Sequence, residues 1–84
     1  MARLEKVVSS FKQCQGPFSW REFTRMIVKL GYEEKRSGKT SGSQRVFFHS
    51  GTQDVIMAHE PHDGEMGPSM VRRLRSHLEQ RGII

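Results

Sequence analysis

The sequence predicts an α+β fold of order α-α-β-β-β-α, with helices packed on one face of a three-stranded antiparallel sheet. Three observations carry this. Apolar residues recur every three or four positions near both ends of the chain, the spacing of one helix face. Between the helical stretches lie three short runs rich in β-branched and aromatic residues. The turns separating those runs are too short for the crossover that parallel strands require.

The first helix is expected over residues 2–14, where Leu4, Val7, Val8, Phe11 and Cys14 share one side, and Gln15-Gly16-Pro17 stops it. Ser19 stands three residues before Glu22, the spacing of a capping box, with Phe18 as a hydrophobic staple for Phe23. Trp20, Phe23, Ile27 and Leu30 then line the second helix, and Gly31 supplies its left-handed stop. Tyr32 to Ser37 reads as a polar edge strand, and Gly38 to Gly42 as a turn. Val46, Phe47 and Phe48 mark a strand over Gln44 to His49; after the turn Ser50–Gln53, Val55, Ile56 and Met57 mark another over Asp54 to His59. Residues 60–67, with Pro61, Gly64 and Gly67, are expected as a loop. Pro68 suits the first turn of a last helix that buries Met70, Val71, Leu74 and Leu78 and runs to about Arg81 before Gly82. The organisation is one domain over residues 1–84, with a helical extension over 1–15 and a core over 18–84.

Composition narrows the class. The chain has 84 residues and a formal net charge of +5, a pI near 10.0 and a mean hydropathy of −0.63. No apolar run approaches the roughly 18–20 residues of a membrane span, and the first fourteen residues hold no apolar core of a secretory signal. The single cysteine, Cys14, forms no internal disulfide and no thiolate cluster for zinc. A small, basic, soluble, cytoplasmic protein is expected. Its charge is uneven. Residues 35–49 carry four basic groups and no acid, residues 50–67 four acids and no Lys or Arg, and residues 68–84 a net +3. Two basic blocks around an acidic segment suit a polyanion that touches two elements, and equally a protein with a basic surface.

Several pieces, in order, carry a family resemblance. A helix ends in Leu30-Gly31-Tyr32; Gly42-Ser43 precedes a strand with Phe47 and His49; a Val55-x-Met57 strand leads to a His/Pro loop; the last helix closes near Arg81-Gly82-Ile83. Over roughly residues 20–84 this set resembles HicA-type toxins, small RNA-cleaving proteins with a double-stranded-RNA-binding-like fold. The N-terminal helix and His59-Glu60-Pro61-His62 resemble a longer branch of that family. The resemblance implies an endoribonuclease that cleaves mRNA, uses no metal or small-molecule cofactor, and is held inactive by a HicB-like antitoxin protein. It also marks a departure. The family's usual catalytic histidine directly follows the Gly-Ser pair, and this chain has Gln44 there, which hydrogen-bonds but exchanges no proton near neutral pH. The alternative is therefore a non-catalytic RNA-binding module of the same fold.

Metal-free RNA cleavage needs a base for the 2′-hydroxyl, an acid for the leaving 5′-oxygen and cations around the phosphate. His59 and His62, three apart at a strand end and its loop, are the candidates to replace the missing histidine, with Gln44 and Arg45 holding the phosphate. The alternative is that both anchor the Pro61 turn or touch a partner. His49 reads as a polar strand terminus and His77 as a solvated helix residue. A metal site from His59, His62 and Asp63 lacks soft ligands. Lys35, Arg36, Lys39 and Arg45 around the first hairpin, with Arg72 and Arg75 on the last helix, are the candidate RNA-backbone contacts. Phe47 and Phe48 point to opposite sides of the sheet. One of them faces away from the helices, to stack a base, meet a partner or lie under the N-terminal helix.

Overall fold

The computed structural model describes residues 2–35 and 44–84. The predicted turn Gly38–Gly42, the Gly42-Ser43 pair, Arg36 and Lys39 lie outside the described residues. Within them the predicted order holds: α1 (Ala2–Gln13), α2 (Trp20–Lys29), β2 (Tyr32–Lys35), β3 (Gln44–His49), β4 (Asp54–His59) and α3 (Pro68–Gln80), with two-residue strands β1 (Phe18–Ser19) and β5 (Glu65–Met66) added.

The sheet β2-β3-β4 is antiparallel, with β3 in the middle. Its register places Glu34, Phe47 and Ile56 in one row and Glu33, Phe48 and Val55 in the next. Side chains alternate between faces along a strand. In β4, Asp54, Ile56 and Ala58 are accordingly buried, while Val55, Met57 and His59 are exposed. Phe47 is the aromatic that enters the core; Phe48 lies half-buried on the other face. All three helices contribute to the core on the Phe47 side: Phe11 from α1, Phe23, Met26 and Ile27 from α2, and Val71, Leu74 and Leu78 from α3. Among the described residues no helix lies on the opposite face of the sheet, and Val55 and Met57 there are 45% and 54% exposed.

Local chemistry explains the element ends. Glu22 N–H donates to Ser19 Oγ at 3.2 Å, the forward half of the predicted capping box. Gly31 takes φ +113° after α2. A Cβ there would stand 2.5 Å from His49 Nε2, so any larger residue must displace that ring. The aromatic packing runs from Phe18 through Phe11, Phe23 and Trp20 to Phe47, and the Phe11 ring lies 5.2 Å from Phe18 and 5.4 Å from Phe23. This side chain is fully buried, so α1 completes the core rather than extending it.

Residues 60–67 depart from the predicted loop. Phe18 pairs with Met66 and Ser19 with Glu65, and Trp20 N–H donates to the Gly64 carbonyl at 3.0 Å. The ribbon fixes the start of α2 beside the start of α3 and buries Met66 completely. Strands of two residues carry no readable alternation, so only long-range pairing reveals them.

Candidate functional site

The β3–β4 register sets Gln44 directly across from His59. Both belong to the uncovered face, since their neighbours Arg45 and Ala58 fall on the helix side. His59 is exposed and Gln44 half-buried. His62, three residues on, is exposed in the turn that follows β4. Lys35 shares a row with Val46 and Met57 on the same face, next to the Gln44–His59 row. The sheet thus gathers an imidazole, an amide and an ammonium group around an apolar strip of Val46, Phe48, Val55 and Met57.

The other predicted cations are placed differently. Arg45 projects to the helix side, where Nη2 lies 2.9 Å from Glu60 Oε1 and Nε 3.5 Å from Glu34 Oε2. Its Nη1 also donates to the Gln44 main-chain carbonyl at 3.4 Å, while strand alternation sends the Gln44 side chain to the other face. Lys35 Nζ lies 3.1 Å from Glu33 Oε1 in an exposed pair, worth at most about 1 kcal/mol and easily exchanged for a phosphate. Arg75 Nη1 donates to the carbonyls of Cys14 at 2.7 Å and Lys12 at 3.2 Å, so it ties α3 to the carbonyl end of α1. Arg72 is exposed, and with Arg75, Cys14, Gln15 and Pro68 it lines a depression of about 210 Å³. Among the described residues, no group of three His, Cys, Asp or Glu side chains is placed to hold a metal ion, and no helix is long and apolar enough to cross a membrane.

At the far end of the sheet lies a polar cluster that sequence reading does not find. Asp54 begins β4 with its carboxylate buried. It accepts from Tyr32 Oη at 2.5 Å, His77 Nε2 at 2.7 Å and Arg81 Nε at 2.6 Å. Burial by itself would raise the Asp54 pKa, but the hydrogen bonds from Tyr32, His77 and Arg81 outweigh it and hold the carboxyl below its ordinary value. Burial, then the Asp54 hydrogen bond and charge, push the Tyr32 hydroxyl well up. His77 is therefore no solvated residue. It and Arg81 clamp the end of α3 to β4, while Tyr32 draws in the opposite edge strand. The one available signal was the spacing of His77 and Arg81 by four, which sets both on one helix face.

His49 lies beside this cluster and is fully engaged. Thr52 N–H donates to its Nδ1 at 3.1 Å, which leaves the ring proton on Nε2 to donate to the Leu30 carbonyl at 3.0 Å. The ring joins the β3–β4 turn to the end of α2. Five steps of β4, about 17 Å at strand rise, separate the Asp54 end from His59, so the two groups of side chains form separate sites.

No curated protein and no solved structure matches the chain. A family model described as the HicA toxin of bacterial toxin-antitoxin matches residues 20–83, from the first residue of α2 to just beyond α3. The matched segment spans the whole three-stranded sheet and the helices at both its ends, and on that match the chain belongs to the HicA toxin family, the toxins of bacterial toxin-antitoxin systems.

Proposed function

We propose that this toxin is a metal-independent endoribonuclease that cleaves mRNA, with His59 on the uncovered sheet face as its proton-transferring group. The observation that carries the reading is the cross-strand pairing of Gln44 with His59. Cβ atoms of directly opposed residues stand about 4.5–5.5 Å apart. An imidazole at position 59 thus occupies nearly the same space as one projecting from position 44, where the resemblance expects the family's histidine.

In this reading His59 takes the proton of the ribose 2′-hydroxyl. The 2′-oxygen attacks the adjacent phosphorus, and the bond from phosphorus to the 5′-oxygen breaks. His62 gives the departing 5′-oxygen its proton. The products are a 2′,3′-cyclic phosphate and a free 5′-hydroxyl. Gln44 donates its amide N–H to a phosphate oxygen, and Lys35 supplies positive charge on the same face. Arg45 joins them only by exchanging Glu34 and Glu60 for the phosphate. Phe48 offers an aromatic surface for an unstacked base, which suits single-stranded RNA. Phosphodiester cleavage occurs in the cytoplasm, and a HicB-like antitoxin protein neutralises it.

The test is cleavage of a defined RNA by purified protein, with product ends identified. His59→Ala is expected to lower the rate at least about 100-fold, the usual contribution of a general acid or base, with RNA binding retained. Undiminished cleavage by both His59→Ala and His62→Ala removes these residues from the mechanism. A second reading has its own support: Gln44 replaces a titratable group, as in a module that binds RNA without cutting it. Wild-type protein that binds RNA and leaves it intact establishes that reading. Gain of cleavage in Gln44→His then identifies a disabled enzyme.

A further inference from the structure

Among the described residues, exposed cations without an acidic partner stand on all three helices, and α2 sets three of them in one line, away from the sheet. Around the sheet, Lys35 pairs with Glu33 and Arg45 with Glu34 and Glu60, while Arg81 is held by Asp54. On α2, Arg21, Arg25 and Lys29 follow one another at intervals of four residues, and all three are exposed. Among the described residues none of the three forms an ion pair or a side-chain hydrogen bond. Successive members are displaced about 6 Å along the axis and 40° around it, so they form a single, gently winding ridge. The buried side of α2 carries Trp20, Phe23, Met26 and Ile27, and the ridge faces away from it.

This arrangement works against the helix that bears it. Like charges four residues apart repel, and Arg21 sits in the first turn, next to the positive pole of the helix dipole. Lys29, in the last turn, is favourably placed against the dipole, so the cost falls on Arg21 and on the like-charge spacing. A polyanion laid along the ridge removes both penalties. The repeat along the axis is comparable to the distance between successive phosphates of a nucleic-acid strand, and two of the three groups are guanidinium forks suited to phosphate oxygens. Glu22 borders the ridge on one side, where it shares a groove of about 350 Å³ with Arg25, Lys29, Leu4, Val7 and Met26. Val28, 52% exposed, borders the other side.

We propose that Arg21, Arg25 and Lys29 form a phosphate-tracking ridge that holds the backbone of the RNA outside the cleavage site. The inference rests on the proposed action on RNA. Because the ridge and the Gln44–His59 face lie on opposite sides of the sheet, only an RNA long enough to pass around the molecule engages both. The ridge therefore favours long transcripts over short oligonucleotides.

The experiment measures binding of a 40-nucleotide single-stranded RNA to His59→Ala protein, so that binding is read without cleavage, at salt concentrations from 50 to 200 mM. The same measurement is made with Arg21→Gln, Arg25→Gln and Lys29→Gln added together. Each phosphate contact contributes about 0.7 to the slope of log affinity against log salt for single strands. The triple substitution is expected to flatten the slope by about 2, so that over this range it loses roughly 20-fold less affinity to salt than its parent. Lys6→Gln with Lys12→Gln, on α1, is expected to change the slope far less per charge removed. In a His59-intact background, cleavage of a 6-nucleotide RNA is expected to survive the triple substitution, while cleavage of the long RNA falls. An unchanged slope, or an equal effect per charge from the α1 control, overturns the ridge. So does normal RNA binding with lost neutralisation by the antitoxin, which would assign the ridge to a protein partner. Failure of the His59→Ala parent to bind RNA at all overturns the proposed function itself.

Discussion

Replacing Asp54 with asparagine tests the clamp at the far end of the sheet. The two carboxylate oxygens accept three hydrogen bonds, from Tyr32, His77 and Arg81. An asparagine offers one oxygen, and its NH₂ group is set against a donor on the other side. Hydrogen bonds to a charged group contribute about 1.5–3 kcal/mol each, and breaking a buried ion pair costs about 3–5 kcal/mol. The Arg81 side chain is 44% exposed, so solvent screening discounts its share. A net loss of about 3 kcal/mol follows. At roughly 4–8 °C per kcal/mol for a domain of this size, the midpoint should fall by about 12–24 °C in a thermal melt at pH 7. The pH dependence supplies an independent check. The folded-state pKa of Asp54 is depressed, so its contribution is complete above the unfolded value of about 3.9 and is lost as pH falls through the folded value. The gap between wild type and Asp54→Asn should therefore hold at pH 5–7 and narrow below about pH 4. A gap under 3 °C at pH 7, or one that widens on acidification, refutes the clamp.

Two other substitutions probe the scaffold. Gly31→Ala forces a side chain into φ +113° and against the His49 ring; a loss of roughly 1–3 kcal/mol is expected in urea denaturation, whereas Gly16→Ala, where a Cβ meets nothing within 4 Å, should cost far less. Phe11→Ala removes a fully buried ring between Phe18 and Phe23 and should cost about 3–5 kcal/mol; a melt unchanged by this substitution would make α1 the detachable extension that its place in the sequence suggests.

Much of the fold was legible because it rests on local periodicity. The threefold and fourfold spacing of Trp20, Phe23, Ile27 and Leu30 states which side of α2 is buried, and Ser19, Gly31 and Pro68 mark element ends whatever the rest of the chain does. In β4 the run Val55-Ile56-Met57-Ala58 is apolar throughout, so the sequence marks the strand and the fold decides that Ile56 is buried and Met57 exposed. The family resemblance, too, was readable from ordered local signals such as Leu30-Gly31-Tyr32 and the Val55-x-Met57 strand.

What the sequence alone determined, then, is the three helices with their apolar sides and the three longer strands, since these depend on neighbours a few residues apart; the β1–β5 ribbon and the buried face of the sheet strands were not among them. Tertiary structure decided which side chains meet across the chain. Register set Gln44 against His59 and turned Arg45 to the other face; a shift of one residue would reverse both. It also drew Tyr32, Asp54, His77 and Arg81 into one cluster from three separate elements. Charge counted along the chain gave Lys35 and Arg45 as candidate RNA contacts, yet folding set acids beside both, while Arg21, Arg25 and Lys29 on α2 kept no acidic partner among the described residues. Electrostatic interaction follows distance in space, which the order of residues does not specify.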